Sequence, residues 1–136
     1  MKLTRINYND LNAKQKEVYN FQKIASILAD YGFNSIKLAD DWQGADFLAY
    51  HKDGERTLKV QLKGRLTVAK KYRGKDLYMA FPIDGDWYLI PHDDLLEIVF
   101  AKTKWAQTES WTAGGVYSAS RPSKEVVEAL SAFKLS

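Results

Sequence analysis

The clearest periodicity in the chain is helical and comes early. Val18, Phe21, Ile24, Ala25, Ile27, Leu28 and Tyr31 recur at the three- and four-residue spacing of one apolar stripe. Asn9 or Asp10 can cap its start and Gly32 can stop it, which predicts a helix running to about Tyr31. The pattern then changes to strands. Phe33 to Leu38 predicts the first, with Ile36 and Leu38 on one side, and alternation is strongest from Gly44 to Lys63. Arg65 to Ala69 reads as a continuation of that second run. Leu77 to Phe81 and Trp87 to Ile90 predict a further pair, with Pro82 and Asp84-Gly85 in the connection. Pro91 ends it, and His92 or Asp93 opens a short helix through Phe100, where Asp93 and Asp94 suit the positive end of the helix dipole. Residues 101–121 show no period and carry Trp105, Trp111 and the turn signal Gly114-Gly115, as expected of a substrate-facing loop or a dimer contact. Pro122 stands in the first turn of a closing helix whose Val126, Val127, Leu130 and Phe133 form an apolar face.

The run from Gly44 to Lys63 reads as a hairpin. Asp53-Gly54 is a strong signal for a type I′ turn, which sets Lys52 opposite Glu55 and, further along, Asp46 opposite Gln61. A four-residue loop from Lys52 to Glu55 keeps the same register. A three-residue loop shifts it by one and sets apolar residues against polar ones. In the retained register one face is wholly apolar: Ala45 with Leu62, Phe47 with Val60, Ala49 with Leu58. The other pairs Asp46 with Gln61, Leu48 with Lys59 and Tyr50 with Thr57, and Lys63 follows Gln61 by two residues.

That second face collects a carboxylate, a carboxamide and an ammonium at one end of the hairpin. Opposed Cβ atoms lie roughly 4.5–5.5 Å apart, close enough for Asp46 and Gln61 to share one cation. Both offer hard oxygen atoms, which Mg²⁺ prefers. A metal so held polarises a phosphate and lowers the pKa of bound water, and Lys63 can orient that water or offset transition-state charge. The same residues also fit the solvated face of an ordinary hairpin. Asp40 and Asp41, in the expected loop before Gly44, are secondary candidates for metal ligation, and Trp42 beside them is expected at the core or its rim.

Asp46, a hairpin and then Gln61-Leu62-Lys63 resemble the active-site signature of the PD-(D/E)XK nuclease superfamily, which includes restriction endonucleases, Holliday-junction resolvases and some homing endonucleases. Gly44-Ala45-Asp46-Phe47 stands where that family often shows Gly-x-Asp, and Val60-Gln61-Leu62-Lys63 where it shows Val-Glu-Val-Lys. The likeness spans roughly Leu11 to Pro91. Gln61 departs from the pattern, replacing the second acid with an amide, as in a variant similar to some homing endonucleases. The resemblance implies an α/β fold with a restriction-endonuclease-like core: a mixed β-sheet, the long N-terminal helix packed on one face and a C-terminal helix. It also implies a catalytic set of Asp46, Gln61, Lys63 and Glu17, with Asp46, Gln61 and Glu17 as metal ligands. Glu17 enters because a first-helix acid often assists such sites, and it lies on the helix stripe one turn before Phe21.

Composition narrows the choice of chemistry. The chain has 136 residues, 46% hydrophobic and 27% charged, and is expected to form one domain, 1–136. It has no cysteine, which excludes disulfides and thiolate zinc sites, and its two histidines are far apart. No apolar run reaches the roughly 20 residues of a membrane span. The N-terminus lacks a signal peptide's apolar core, so a cytoplasmic location is expected. Net charge is only +3, but Lys59, Lys63, Arg65, Lys70, Lys71, Arg73 and Lys75 come without an intervening acid. Arg65, Lys70, Lys71, Arg73 and Lys75 are the candidate DNA-backbone contacts, though a solvated loop accounts for them as well; Tyr72 among them can stack on a base or simply pack.

The resulting expectation is a DNA endonuclease dependent on Mg²⁺, with Mn²⁺ as a possible substitute. DNA is the partner, and cutting both strands implies a homodimer or higher homo-oligomer. Loss of the second acid also admits a nucleic-acid-binding module that no longer cuts, and the basic loop admits a protein-interaction domain.

Overall fold

In the computed structural model, which describes residues 1–136, seven strands form two sheets: β1 (Phe33–Trp42), β2 (Ala45–His51), β3 (Thr57–Leu62), β4 (Leu66–Ala69), β5 (Tyr78–Ile83), β6 (Asp86–Pro91) and β7 (Val116–Ala119). Five form a mixed sheet in the order β1-β2-β3-β5-β6, and β4 pairs with β7 in a separate two-stranded sheet. All neighbours are antiparallel except β3 and β5. A parallel pair cannot be joined by a hairpin, so residues 63–77 must cross over one face of the sheet. That crossover carries β4 and the basic segment.

Helix α1 (Ala13–Ala29) covers one face of the large sheet. Ile24 and Leu28 pack there with Phe47, Ala49, Val60, Ala80 and Trp87, and Phe21 meets Phe47 edge-on at 5.2 Å between ring centroids. The helix starts later than a cap at Asn9 or Asp10 would place it. Asn12 Oδ1 accepts from the Gln15 backbone N–H and Gln15 Oε1 from the Asn12 N–H, both at 2.9 Å, a reciprocal cap that satisfies two otherwise orphaned donors. Neither Asn9 nor Asp10 is the cap; they belong to a short 3-10 turn, Tyr8–Asp10, capped by Asn7.

The opposite face is covered by α2 (His92–Lys102), α3 (Glu109–Thr112), α4 (Lys124–Ala129) and the small sheet. Met79, Phe81 and Ile90 of the large sheet pack there with Leu66, Val68, Leu95, Val99, Val126 and Leu130. Residues 101–121 are therefore a structural layer and not a substrate-facing loop. Trp105 and Trp111 are buried, against Tyr117 at 3.9 Å and Phe100 at 5.0 Å between centroids. The elements there are too short to display a period. Ser123 caps α4, so Pro122 precedes the helix instead of standing in its first turn.

Three further expectations are corrected. Arg65 to Ala69 does not prolong β3, because β4 leaves the large sheet to pair with β7. Asp53-Gly54 does not form a type I′ turn: Gly54 has φ +76° but Asp53 does not take positive φ. The loop is the four-residue alternative, closed by His51 N–H to Arg56 O at 2.8 Å, and the Asp53 carboxylate accepts from the Glu55 N–H at 2.9 Å. The Asp-Gly preference is met instead at Asp84-Gly85, with φ of 53° and 83°, and by Gln43-Gly44, with φ of 53° and 87°. Third, β1 runs on to Trp42, which puts Asp40 and Asp41 in the strand and leaves Trp42 51% exposed, outside the core. No helix is long and apolar enough to cross a membrane.

His92, the first residue of α2, ties that helix to β4. It is buried, its Nε2 accepts the Ala69 N–H at 3.1 Å, and its Nδ1 lies 3.0 Å from Asp93 Oδ1. An acceptor at Nε2 requires the neutral ring with its proton on Nδ1. Burial pushes the His92 pKa below its ordinary 6.5, against the opposing pull of Asp93. The unfolded chain then binds a proton more readily than the folded one, so this contribution to stability is complete above pH 6.5 and declines below it. The denaturant midpoint is expected to fall between neutral pH and pH about 5.5, and His92→Gln to flatten that slope, as measured by urea unfolding followed by circular dichroism.

Candidate active site

The predicted hairpin register is the observed one: Phe47 faces Val60, Leu48 faces Lys59, Ala49 faces Leu58 and Tyr50 faces Thr57. Beyond Phe47 the ladder gives way. The bonded pairing of His51 with Arg56 recurs every second residue, so a continued ladder would send the Leu62 N–H to Ala45 O. It goes instead to Asp46 Oδ2, at 2.8 Å. Gln61 Nε2 donates to the same oxygen, also at 2.8 Å. The carboxylate thus takes the place of a backbone acceptor and is held by two donors from β3.

The other neighbour of β2 explains why that space exists. On β1, Lys37 pairs with Phe47 and Trp42 with Ala45, so Leu38 to Asp41 stand opposite the single residue Asp46. This large bulge strips Asp46 of a regular ladder partner on its β1 side. A polar cleft of about 450 Å³ results, lined by Asp46, Glu17, Lys14, Lys37, Asp40 and Asp41. Asp40 and Asp41 come to the cleft from a bulged strand and not from a loop.

Gln61 is only 6% exposed, and its Oε1 has no hydrogen-bond partner. A buried, unpaired amide oxygen costs free energy, on the order of 1–3 kcal/mol. Its orientation is fixed, because flipping the amide would set oxygen against the Asp46 carboxylate. Asp46 Oδ1 also receives no protein hydrogen bond. The residues therefore present two hard oxygen atoms on adjacent strands, one of them orphaned, and that fits a Mg²⁺-class cation. No three acidic or histidine side chains stand close enough to cage a metal by themselves.

Charge around Asp46 is mixed. Burial raises its pKa; the Leu62 N–H bond, Lys63 and Lys37 pull it back, and Asp41 pushes it up again. Lys63, from the segment just after β3, is anchored by its N–H to Ala80 O at 2.9 Å, and its Nζ lies 5.8 Å from the centre of the Tyr72 ring. Glu17 lines the cleft but is exposed, at 53% of its side chain, and is 3.8 Å from Lys14 Nζ. The structure pairs Asp46 with Gln61, places Lys63 near enough for its charge to act on Asp46, and sets Glu17 on the cleft wall.

Sequence reasoning missed the part played by Tyr72 and Lys37. Tyr72 packs, its ring buried edge-on against His92 at 5.6 Å, and is no exposed platform. Its hydroxyl pKa is pushed up to about 12 by burial and by the negative charges of Asp46 and Asp41. Lys37 is identifiable from the register, since it pairs with Phe47 beside Asp46. Of the basic residues, Arg65, Lys70, Lys71, Arg73 and Lys75 are all exposed. Lys71 and Lys75 line a second polar cleft of about 520 Å³ with Asp41, Gln43 and Tyr72. Lys70 is engaged elsewhere, donating to Thr112 O at 3.3 Å and lying over the Trp111 ring.

No family model matches the sequence, and no curated protein matches it. Among solved structures the chain is similar to a Holliday junction resolvase from Archaeoglobus fulgidus, at 18% identity and a TM-score of 0.45, over 57% of this chain and 74% of that one. It is also similar to a bacterial homing endonuclease, at 18% identity and a TM-score of 0.49, over 83% of this chain and 78% of that one. Both likenesses are distant, and the functional reading rests on the residues themselves.

The raised Asp46 pKa has a consequence for stability. The folded chain holds that proton more tightly than the unfolded one, so ionisation of Asp46 opposes folding at all pH values above the folded pKa. Asp46→Asn is expected to raise the thermal midpoint at neutral pH, with the gain shrinking as pH falls toward 3.8. Added Mg²⁺ or Mn²⁺ should raise the midpoint of the wild type and leave that of the variant unmoved, as read by differential scanning fluorimetry.

Proposed function

We propose that this chain is a metal-dependent DNA endonuclease that hydrolyses phosphodiester bonds. The observation that carries the reading is the pairing of Asp46 with Gln61 across β2 and β3 while Gln61 Oε1 stays buried and unpartnered. In this reading Asp46 and Gln61 hold the cation, and Glu17 adds negative charge from the rim of the cleft. A Mg²⁺ ion there supplies Lewis-acid polarisation of the phosphate and acidification of water. Lys63, close enough to act on the Asp46 charge, orients the attacking water or neutralises charge on the phosphoryl oxygens.

The basic crossover supplies affinity. Arg65, Lys71, Arg73 and Lys75 are exposed on the segment that follows Lys63, so a phosphate backbone held there passes the site. Lys70 joins them only by giving up its contacts with Thr112 and Trp111. One such site cuts one strand, and cutting a duplex through takes two copies.

A second reading, a nucleic-acid-binding module that does not cut, has one observation in its favour: Gln61 already satisfies one Asp46 oxygen without a metal. The two separate experimentally. Wild-type protein with Mg²⁺ or Mn²⁺ is expected to nick or cut plasmid, linear or branched DNA, with activity lost in chelator. Lys63→Ala should lower the rate by about a hundredfold or more while leaving binding nearly intact. Binding without metal-dependent cleavage on any of these substrates selects the module instead.

The electrostatic part has its own measurement. Affinity for DNA should fall steeply between two ionic strengths, and each neutralising substitution among Arg65, Lys71, Arg73 and Lys75 that removes a phosphate contact should reduce the salt slope by about one. An affinity indifferent to salt would point to a protein-interaction domain.

A further inference from the structure

A cleft of about 580 Å³ lies on the α1 side, apart from the Asp46 site. Its size is within the roughly 300–1,000 Å³ of small-ligand sites. Tyr8, Tyr19 and Trp87 supply aromatic wall, and Asn20, Lys23 and Gly64 complete the part that matters here. Gly64 directly follows Lys63, so the cleft begins one residue from the proposed catalytic lysine.

Two features mark the cleft. Gly64 does not adopt positive φ, and a Cβ built on it would meet only Asn20 Nδ2, at 3.9 Å. Neither backbone conformation nor packing calls for glycine at that position; a side chain there would project into the cleft. Asn20 is the second. It is 8% exposed, its Nδ2 donates to Tyr8 Oη at 3.0 Å, and its Oδ1 accepts no hydrogen bond within the protein. The result is a nine-tenths buried amide, anchored on one side by Tyr8, with its other hydrogen-bonding edge left for solvent or a ligand at the cleft wall.

We infer that this cleft accepts a single unpaired nucleobase, from the same nucleic acid whose backbone runs past Lys63. The inference rests on the endonuclease reading for the identity of the polymer. Aromatic faces stack on any base, more strongly on a purine than on a pyrimidine, and the free edge of the Asn20 amide is placed to hydrogen-bond the base's polar edge. Tyr8 and Tyr19 lie 5.2 Å apart and tilted by 60°, and Lys16 and Lys23 sit over their rings at 5.3 Å each, which places positive charge beside the stacking surface. The open Gly64 wall leaves room for the sugar-phosphate to turn from the Lys63 side into the cleft.

The test uses the full chain in chelator, so that cutting plays no part. Short labelled duplexes carry one unpaired adenine, one unpaired thymine or one unpaired abasic unit, and binding is followed by fluorescence anisotropy. The unpaired adenine is expected to bind about tenfold tighter than the abasic unit, with thymine between them. In Tyr19→Ala and in Gly64→Val, each first shown to keep the wild-type thermal midpoint, the adenine-to-abasic ratio should fall to near one. Equal affinity for all three duplexes, or a ratio that survives both substitutions, overturns the base site. Base discrimination by a protein that cuts nothing in Mg²⁺ or Mn²⁺ would sustain the base site and remove the nuclease reading; metal-dependent cutting without base discrimination does the reverse.

Discussion

One hydrogen bond organises the centre of this molecule, the Leu62 N–H to the carboxylate of Asp46. A buried backbone donor must be satisfied, and in an uninterrupted sheet a backbone carbonyl would do it. Here a side chain does, and the substitution has two effects. It lets β2 and β3 separate at one end without leaving the Leu62 donor unpaired. It also holds a carboxylate, half-buried and under desolvation pressure, at a point where a folding optimum would place a neutral group. The bulge in β1 completes the arrangement, because Leu38 to Asp41 stand away from Asp46 and open the polar cleft beside it.

The parallel pairing of β3 with β5 is the second constraint. It forces the chain leaving Lys63 to cross a sheet face before returning at Tyr78, and β4 and the turn Lys70–Tyr72 are built within that crossing. Val68 and Ala69 anchor it in the larger core, and the Ala69 N–H is bound by His92 at the start of α2. Lys71 and Lys75 of that crossing line the second cleft, which shares Asp41 with the Asp46 cleft. Tyr72 is the hinge between them: its ring is enclosed by His92, its hydroxyl senses Asp46 and Asp41, and Lys63 and Lys71 lie over it.

The parts of this structure visible in the sequence are those set by short-range periodicity. The stripe through Phe21, Ile24 and Leu28 identifies the buried face of α1, and the alternation through Phe47, Val60 and Ala49 fixes the hairpin register, so Asp46 and Gln61 meet as the pattern requires. Register survived a wrong turn type because both loops that preserve it close the same pairs. What the pattern does not carry is anything decided by a partner distant in sequence. Leu66 to Ala69 is apolar and β-branched enough to continue a strand, and only its competition for Val116 to Ala119 takes it into another sheet. Asp41 is an ordinary acid after Asp40 until a bulge turns that stretch toward the cleft. Trp105 and Trp111 lie in elements of three and four residues, too short to display which side is buried.

The amide at position 61 then bears on how the polar centre balances its charge. A second carboxylate there would sit 94% buried against Asp46, given the 6% exposure of Gln61, with Asp41 adding repulsion. Two like charges in such a place raise each other's pKa until one is protonated. Glutamine avoids that by donating to Asp46 through Nε2. Gln61 thereby pairs with Asp46 without adding a second charge, and its Oε1 is left buried with no partner. The cost of that lone oxygen depends on burial and not on net charge, because an amide oxygen exposed to water would be satisfied by the solvent.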